Sequence, residues 1–316
     1  MPRGWPRYGS EIDIFRKRPV LDCIREVQDN DRFLSFRFGE VESRDLQQRM
    51  KNARQLCLIV SGPNGSGRSA MARWLVGLYK HAQGQHAFAF GEYDPGDVKD
   101  VPTACKNLLQ GLAEHTAEVL DQNVDEGPAK ALLTALTSPM IGTFDVTMQT
   151  RLQAYSRTMD RANARFGCIL ENVGSRELLT SAYTIFENTS AILVCTVTDA
   201  ERERVAKEFL DSHPDVIDVQ LQPLLPGAAW KLLENRWTQG KAIFPLPLDS
   251  AHLQESFERP LRTIGRALEL LSGMFEMKLA NCGEGDVWPK DPALRLSREQ
   301  IEDFIRIQED WRRYRS

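Results

Sequence analysis

A disulfide or zinc framework is missing from this chain. Its six cysteines, Cys23, Cys57, Cys105, Cys168, Cys195 and Cys282, form no CxxC pair. Cys57, Cys168 and Cys195 sit inside short apolar runs, where a thiol behaves as a small hydrophobe. That usage points to a reducing, cytoplasmic setting. The five histidines, His81, His86, His115, His213 and His252, are scattered without metal-ligand spacing. With no Ser-His-Asp grouping in view either, a zinc enzyme and a triad hydrolase are set aside. No apolar run approaches the ~20 residues of a membrane span, and the N-terminus has no apolar signal core. Charge of one sign is missing too: 40 Lys and Arg stand against 44 Asp and Glu, a formal net charge of −4. No global basic field therefore announces nucleic acid. What remains is an ordinary globular composition, 42% hydrophobic and 27% charged over 316 residues. That length suits two domains, or one α/β domain with a helical appendage.

The chain has a clear internal order. Residues 1–20 are rich in proline and arginine, with Arg3, Arg7, Arg16, Lys17 and Arg18 among Trp5, Tyr8 and Phe15. A tail packed over the surface is the plain reading, and a partner-binding arm the sharper one. A mostly helical stretch follows and ends in Arg49, Lys51 and Arg54. From residue 56 strands and helices alternate. Short apolar runs at 56–60, 86–90, 168–170, 191–195 and 216–221 predict five strands. Ala104, Leu108 and Leu112 mark a helix over 101–120, and another is expected at 146–164. The stretch between them, with Gly127-Pro128 and Ser138-Pro139, reads as looser chain. After Pro223 the pattern turns helical, with Leu224, Leu225, Ala229, Leu232 and Leu233. It breaks at Pro245 and Pro247 and resumes as Ile264, Leu268, Leu271 and Phe275. A capping box, Ser297-Arg298-Glu299-Gln300, opens the last helix. The expected division is an arm and helical lead-in at 1–50, an α/β domain at 51–222 and a helical lid at 223–316. Five strands separated by helices predict a parallel sheet covered on both faces, with ligand at the carboxyl ends of its strands.

One stretch carries specific chemistry. Gly62-Pro63-Asn64-Gly65-Ser66-Gly67-Arg68-Ser69 matches the phosphate-binding pattern G-x-x-x-x-G-K-[ST] except that Arg68 replaces the lysine. Leu56–Val60 precedes it as a strand; Met71, Trp74, Leu75 and Leu78 follow at helical spacing. Such a loop aims backbone N–H groups and a helix N-terminus at phosphates. The planar, longer guanidinium of Arg68 cannot reproduce the point charge of a lysine. A purely structural glycine turn is the bland alternative.

Taken together, the loop at 62–69, the strands at 168–172 and 191–198, the phrase Leu221–Leu233 and Arg262 resemble the AAA+ and STAND group of P-loop ATPases, including replication initiators and transposition regulators. The likeness covers about residues 50–275. It implies an αβα P-loop domain with a small helical lid, binding ATP or ADP with Mg²⁺ through Gly62–Ala70 and Arg262, with Arg266 one turn on as a substitute. It implies Ser69 and Glu171 as metal ligands. The catalytic pair of acids reads Glu171-Asn172, and an amide has no proton-accepting group. Glu171 as a simple cap on the sheet edge is the plainer alternative. Thr196 or Thr198 matches the γ-phosphate sensor, although threonine is common in strands anyway. Arg202 and Arg204 lie where a neighbour's arginine finger is supplied, and a solvated helix face is the plainer reading of each.

With lysine and second acid both replaced, the resemblance implies a nucleotide-binding assembly or regulatory protein, a homo-oligomer or a member of a protein complex, with impaired hydrolysis. A working ATPase using Arg68 and a nucleotide-free pseudo-ATPase scaffold are the alternatives. Initiators continue into a winged-helix reader, whereas one predicted helix precedes Ser316, so direct DNA binding is not supported. A P-loop kinase would use Glu92 and Asp94 after the second strand, but nothing supports an acceptor site.

Overall fold

Alternation along the apolar runs decides the layering. In a computed structural model that describes residues 43–53, 55–84, 87–96, 100–120, 127–139, 142–221, 272–278, 280 and 296–313, five strands form one sheet: β1 (Leu56–Ser61), β2 (Ala87–Tyr93), β3 (Ala164–Leu170), β4 (Ala191–Val197) and β5 (Ile217–Gln220). All pairs are parallel and the order is β2-β3-β4-β1-β5. Side chains of a strand point alternately to opposite faces. Accordingly Leu56, Leu58 and Val60 of β1 join a core with Ala72, Leu75 and Tyr79, while Cys57 and Ile59 join a second core with Leu108, Leu112 and Phe209.

The first core is roofed by α1 (Ser43–Asn52) and α2 (Arg68–Gln83). The second is roofed by α3 (Val101–Val119), α4 (Gly127–Thr137), α5 (Phe144–Arg161), α6 (Arg176–Phe186) and α7 (Asp199–Ser212). The expected αβα sandwich is thus the observed one. Cys57, Cys105, Cys168 and Cys195 are buried and free, and burial pushes each thiol pKa upward. No described helix is long and apolar enough to cross a membrane.

Two boundaries differ from expectation. The stretch expected to be loose carries helix α4, because Gly127-Pro128 opens it (proline is tolerated in a first turn) and Ala129–Leu136 are good helix formers. Helix α5 stops at Arg161 rather than continuing to 164. Asn163, at φ 52°, turns the chain directly into β3. Helix α7 is irregular: a turn of i→i+5 bonding spans Arg202–Ala206, with the Lys207 N–H donating to the Arg202 carbonyl.

Residues 272–278 and the C-terminal helix α8 (Arg298–Arg313) belong to a second compact unit. The capping box at its start forms as expected, Ser297 N–H to Gln300 Oε1 at 3.2 Å and Gln300 N–H to Ser297 Oγ at 3.3 Å. The arm at 1–20 and most of the expected lid, Arg262 and Arg266 included, lie outside the described residues.

Gly91 and Gly167 set how closely the layers approach. A Cβ on Gly91 would meet the Leu108 carbonyl of α3 at 2.9 Å; one on Gly167 would meet Val76 Cγ1 of α2 at 3.2 Å, besides Ile192 Cγ2 of the neighbouring strand at 2.7 Å. Gly91→Ala should therefore cost about 1–3 kcal/mol, as overpacked cores do. The measurement is the urea midpoint, and an unchanged midpoint would mean that α3 yields freely.

Candidate nucleotide site

Strand β1 ends at Ser61 and helix α2 begins at Arg68, so the glycine-rich residues form the turn between them. Gly65 (φ 80°) and Gly67 (φ 90°) hold left-handed backbone that side-chain-bearing residues resist. A Cβ on Gly67 would touch nothing within 4 Å, so conformation rather than crowding demands the glycine. Among the described residues, no backbone carbonyl takes the N–H groups of Gly65, Ser66 or Gly67. The first turn of α2 has no acidic residue to oppose an anion. Gly62 is buried beneath the turn, while Asn64 and Ala70 are exposed.

The sheet order brings distant residues to the first turn of α2. Strand β4 lies between β1 and β3, and Glu171 follows the end of β3 with its N–H bonded to the Tyr93 carbonyl of β2 at 2.9 Å. The Ser69 hydroxyl donates to Glu171 Oε2 at 2.8 Å. One turn along α2, Arg73 donates from Nε to both Glu92 oxygens at 3.1 and 3.2 Å, and its Nη2 pairs with Glu92 as well. The same Nη2 stands 3.5 Å from Glu171 Oε1. Burial and the adjacent Glu92 carboxyl raise the Glu171 pKa from 4.5 to about 6, against the pull of the Ser69 hydrogen bond and the Arg73 charge. Ser69 and Glu171 are hard oxygen donors side by side, the chemistry that Mg²⁺ takes.

Arg68 anchors a second chain of contacts. Its Nη2 donates to Asn64 Oδ1 at 3.1 Å and to Asn172 Oδ1 at 3.3 Å. Its Nη1 is buried with no hydrogen-bond partner among the described residues. Burial lowers the Arg68 pKa, while Glu201, Asp199 and Glu171 oppose the drop. A half-buried guanidinium with an unmet N–H fits a phosphate oxygen, so the residues present suit a nucleotide. Asn172 stands at φ 50°, a left-handed position that asparagine tolerates better than glutamate. Its Nδ2 donates to Asp94 Oδ2 at 2.9 Å, and its backbone N–H to the buried Thr196 hydroxyl at 2.9 Å.

Neither a protein-family model nor a curated protein matches this sequence. Solved structures do. The Aeropyrum pernix ORC1 protein in complex with DNA is similar at TM-score 0.52 and 15% identity, over 90% of this chain and 69% of that one. Drosophila ORC bound to AT-rich DNA and Cdc6 is similar at 0.50 and 16%, over 95% of this chain and 46% of that one. The fold is that of the AAA+ ATPases. This chain spans less than half of the Drosophila one.

Within that AAA+ fold, the structure joins Arg68, Ser69, Glu171, Asn172 and Thr196 in one connected set. It ties the remaining candidates elsewhere. Thr198 caps α7 in a reciprocal box with Glu201, accepting the Glu201 N–H at 3.2 Å and donating its own N–H at 2.9 Å. Arg202 grips Asp218 through Nε and Nη2 at 3.2 and 2.7 Å, and reaches Glu203 at 2.7 Å. Arg204 donates to the Gly174 carbonyl at 2.9 Å, just beyond Asn172. Arg73 is absent from the candidates that the sequence offers, and Glu92 and Asp94 enter them only for a kinase. The signal for Arg73 was there: it lies four residues after Ser69, on the same helical face.

Glu171 holds its proton more tightly folded than unfolded. Its contribution to stability is therefore present below pH 4.5 and lost as pH rises through about 6. Glu171→Gln should flatten the fall in Tm across that window. A parallel fall in the variant would show that other groups cause it.

Proposed function

We propose that this chain binds ATP or ADP at the 62–69 loop and hydrolyses it slowly or not at all, the nucleotide acting as a switch or structural glue within a homo-oligomer or protein complex. The observation that carries the reading is the Arg68–Asn172–Asp94 chain. Arg68 occupies the clamp position with its buried Nη1 unpartnered among the described residues, which favours an anion. Asn172 occupies the position of the water-polarising acid, and both ends of its amide are in use. An amide cannot take up a proton, so the step that would activate water lacks its base.

In this reading the glycine turn offers backbone N–H groups, and Arg68 offers its free N–H to a phosphate. Ser69 and Glu171 are the oxygen donors that any divalent cation arriving with the nucleotide would meet, and a cation held there would supply charge neutralisation. The Asn172 N–H bond to Thr196 keeps the turn after β3 fixed, and Arg204 links that turn to α7. Nucleotide occupancy and the placement of α7 are thereby coupled. A ligand acts on assembly only through such a difference between states. Among the described residues Arg202 has two carboxylate partners, whereas Arg204 has one neutral acceptor and is the easier of the two to release to a neighbour. The DNA in the two structural neighbours belongs to those complexes, and no DNA contact is assigned to this chain.

Purified protein should release ATP or ADP on denaturation and bind ATP in calorimetry, with Gly67→Val as the loop-negative control. Equal, negligible affinity in both would replace this reading with a nucleotide-free scaffold. Asn172→Asp preserves the left-handed backbone and supplies a base. General bases contribute ~10²–10⁴-fold, so turnover should rise at least ~10-fold. Robust turnover in the unaltered protein would instead identify a working ATPase. Light scattering of the same samples with and without ATP reports whether occupancy drives assembly.

A further inference from the structure

Ser69 and Arg73 lie one turn apart on α2 and together take both oxygens of Glu171. The hydroxyl of Ser69 holds Oε2 at 2.8 Å and the Arg73 guanidinium faces Oε1 at 3.5 Å. The same guanidinium is forked onto Glu92, with Nε at 3.1 and 3.2 Å from its two oxygens. One positive centre thus sits against two carboxylates beside a hydroxyl. This is the arrangement that a divalent cation would otherwise create from the same groups.

Surroundings strengthen the effect. The side chains of Arg73, Glu92 and Glu171 are 21%, 20% and 11% exposed. Charges in so dry a place act on one another more strongly than at a wet surface. A cation arriving at Ser69 and Glu171 would find the Glu171 charge already offset and a fixed guanidinium close by. Removing the guanidinium would leave two neighbouring carboxylates uncompensated, a costly state that an added cation relieves. Arg68 meanwhile supplies a second guanidinium with an unmet N–H beside the glycine turn.

We propose that Arg73 is a resident counter-charge that stands in for the divalent cation, so that this site takes a metal-free nucleoside di- or triphosphate. The inference rests on the nucleotide-binding reading for its ligand, but its claim about the cation is separable. It assigns Arg73 a part in choosing the form of the ligand, not in any chemical step.

Two measurements test it. The first is ATP affinity by calorimetry in excess Mg²⁺ and in EDTA. Wild type should differ by less than ~3-fold between the two, whereas Arg73→Gln should bind at least ~10-fold more weakly in EDTA than in Mg²⁺, because its carboxylates then need a cation. A loss of ~10-fold or more for wild type in EDTA overturns the proposal. The second uses Mn²⁺ alone, followed by electron paramagnetic resonance without nucleotide. Wild type should hold no tight Mn²⁺, and Arg73→Gln should gain a site that the further change Glu171→Gln removes. Tight Mn²⁺ binding by wild type overturns the proposal and needs no variant to be folded. Failure to bind ATP under either condition would strike the nucleotide reading instead, and the Mn²⁺ result would still decide the role of Arg73.

Discussion

The hydrogen bond from Ser69 to Glu171 fastens the first turn of α2 to the end of β3, and the polar centre of this domain is arranged around it. Strand β4 separates the two strands involved, so the contact exists only once the parallel sheet has assembled in its observed order. It brings a carboxyl into a place with little water, where its charge is disfavoured. Arg73 and Glu92 then answer to that charge. A local loop motif and a long-range sheet register are in this way a single structural statement.

Asn172 shows how a substitution can be absorbed into the backbone. At φ 50° the residue sits where asparagine is at ease, and its side chain lies between Arg68 and Asp94. A glutamate there would face both a conformational cost and a different direction. The change at this position and the change at Arg68 are therefore linked through a shared hydrogen bond. They make one altered unit rather than two independent losses.

The loop and the strands were legible in sequence because each is local. The eight-residue glycine loop and five short apolar runs carry their own signal. The helix at Gly127–Thr137 was hidden by reading Gly-Pro as a break, when a proline near a helix start is permitted. Thr198 suits a sensor by directly following the apolar run of β4; that it caps α7 instead depends on Glu201 reaching back. The pairing of Arg73 with Glu92, and of Asn172 with Asp94, needed the β2–β3 register, which no spacing within the chain encodes. Arg262 rests on the resemblance alone and lies outside the described residues.

The wide turn at Arg202–Ala206 has a consequence for how α7 meets its neighbours. An extra residue in one turn advances everything beyond it by roughly 100° relative to an unbroken α-helix. Before the turn, the helix must begin where Thr198 and Glu201 can cap it. Beyond the turn, Phe209 must face the core and stack on His213 beside Tyr183. One regular helix cannot keep both appointments in phase. The bulge works as a vernier between two bearings, and removing a single residue from it would force α7 to give up either its cap or its aromatic seat.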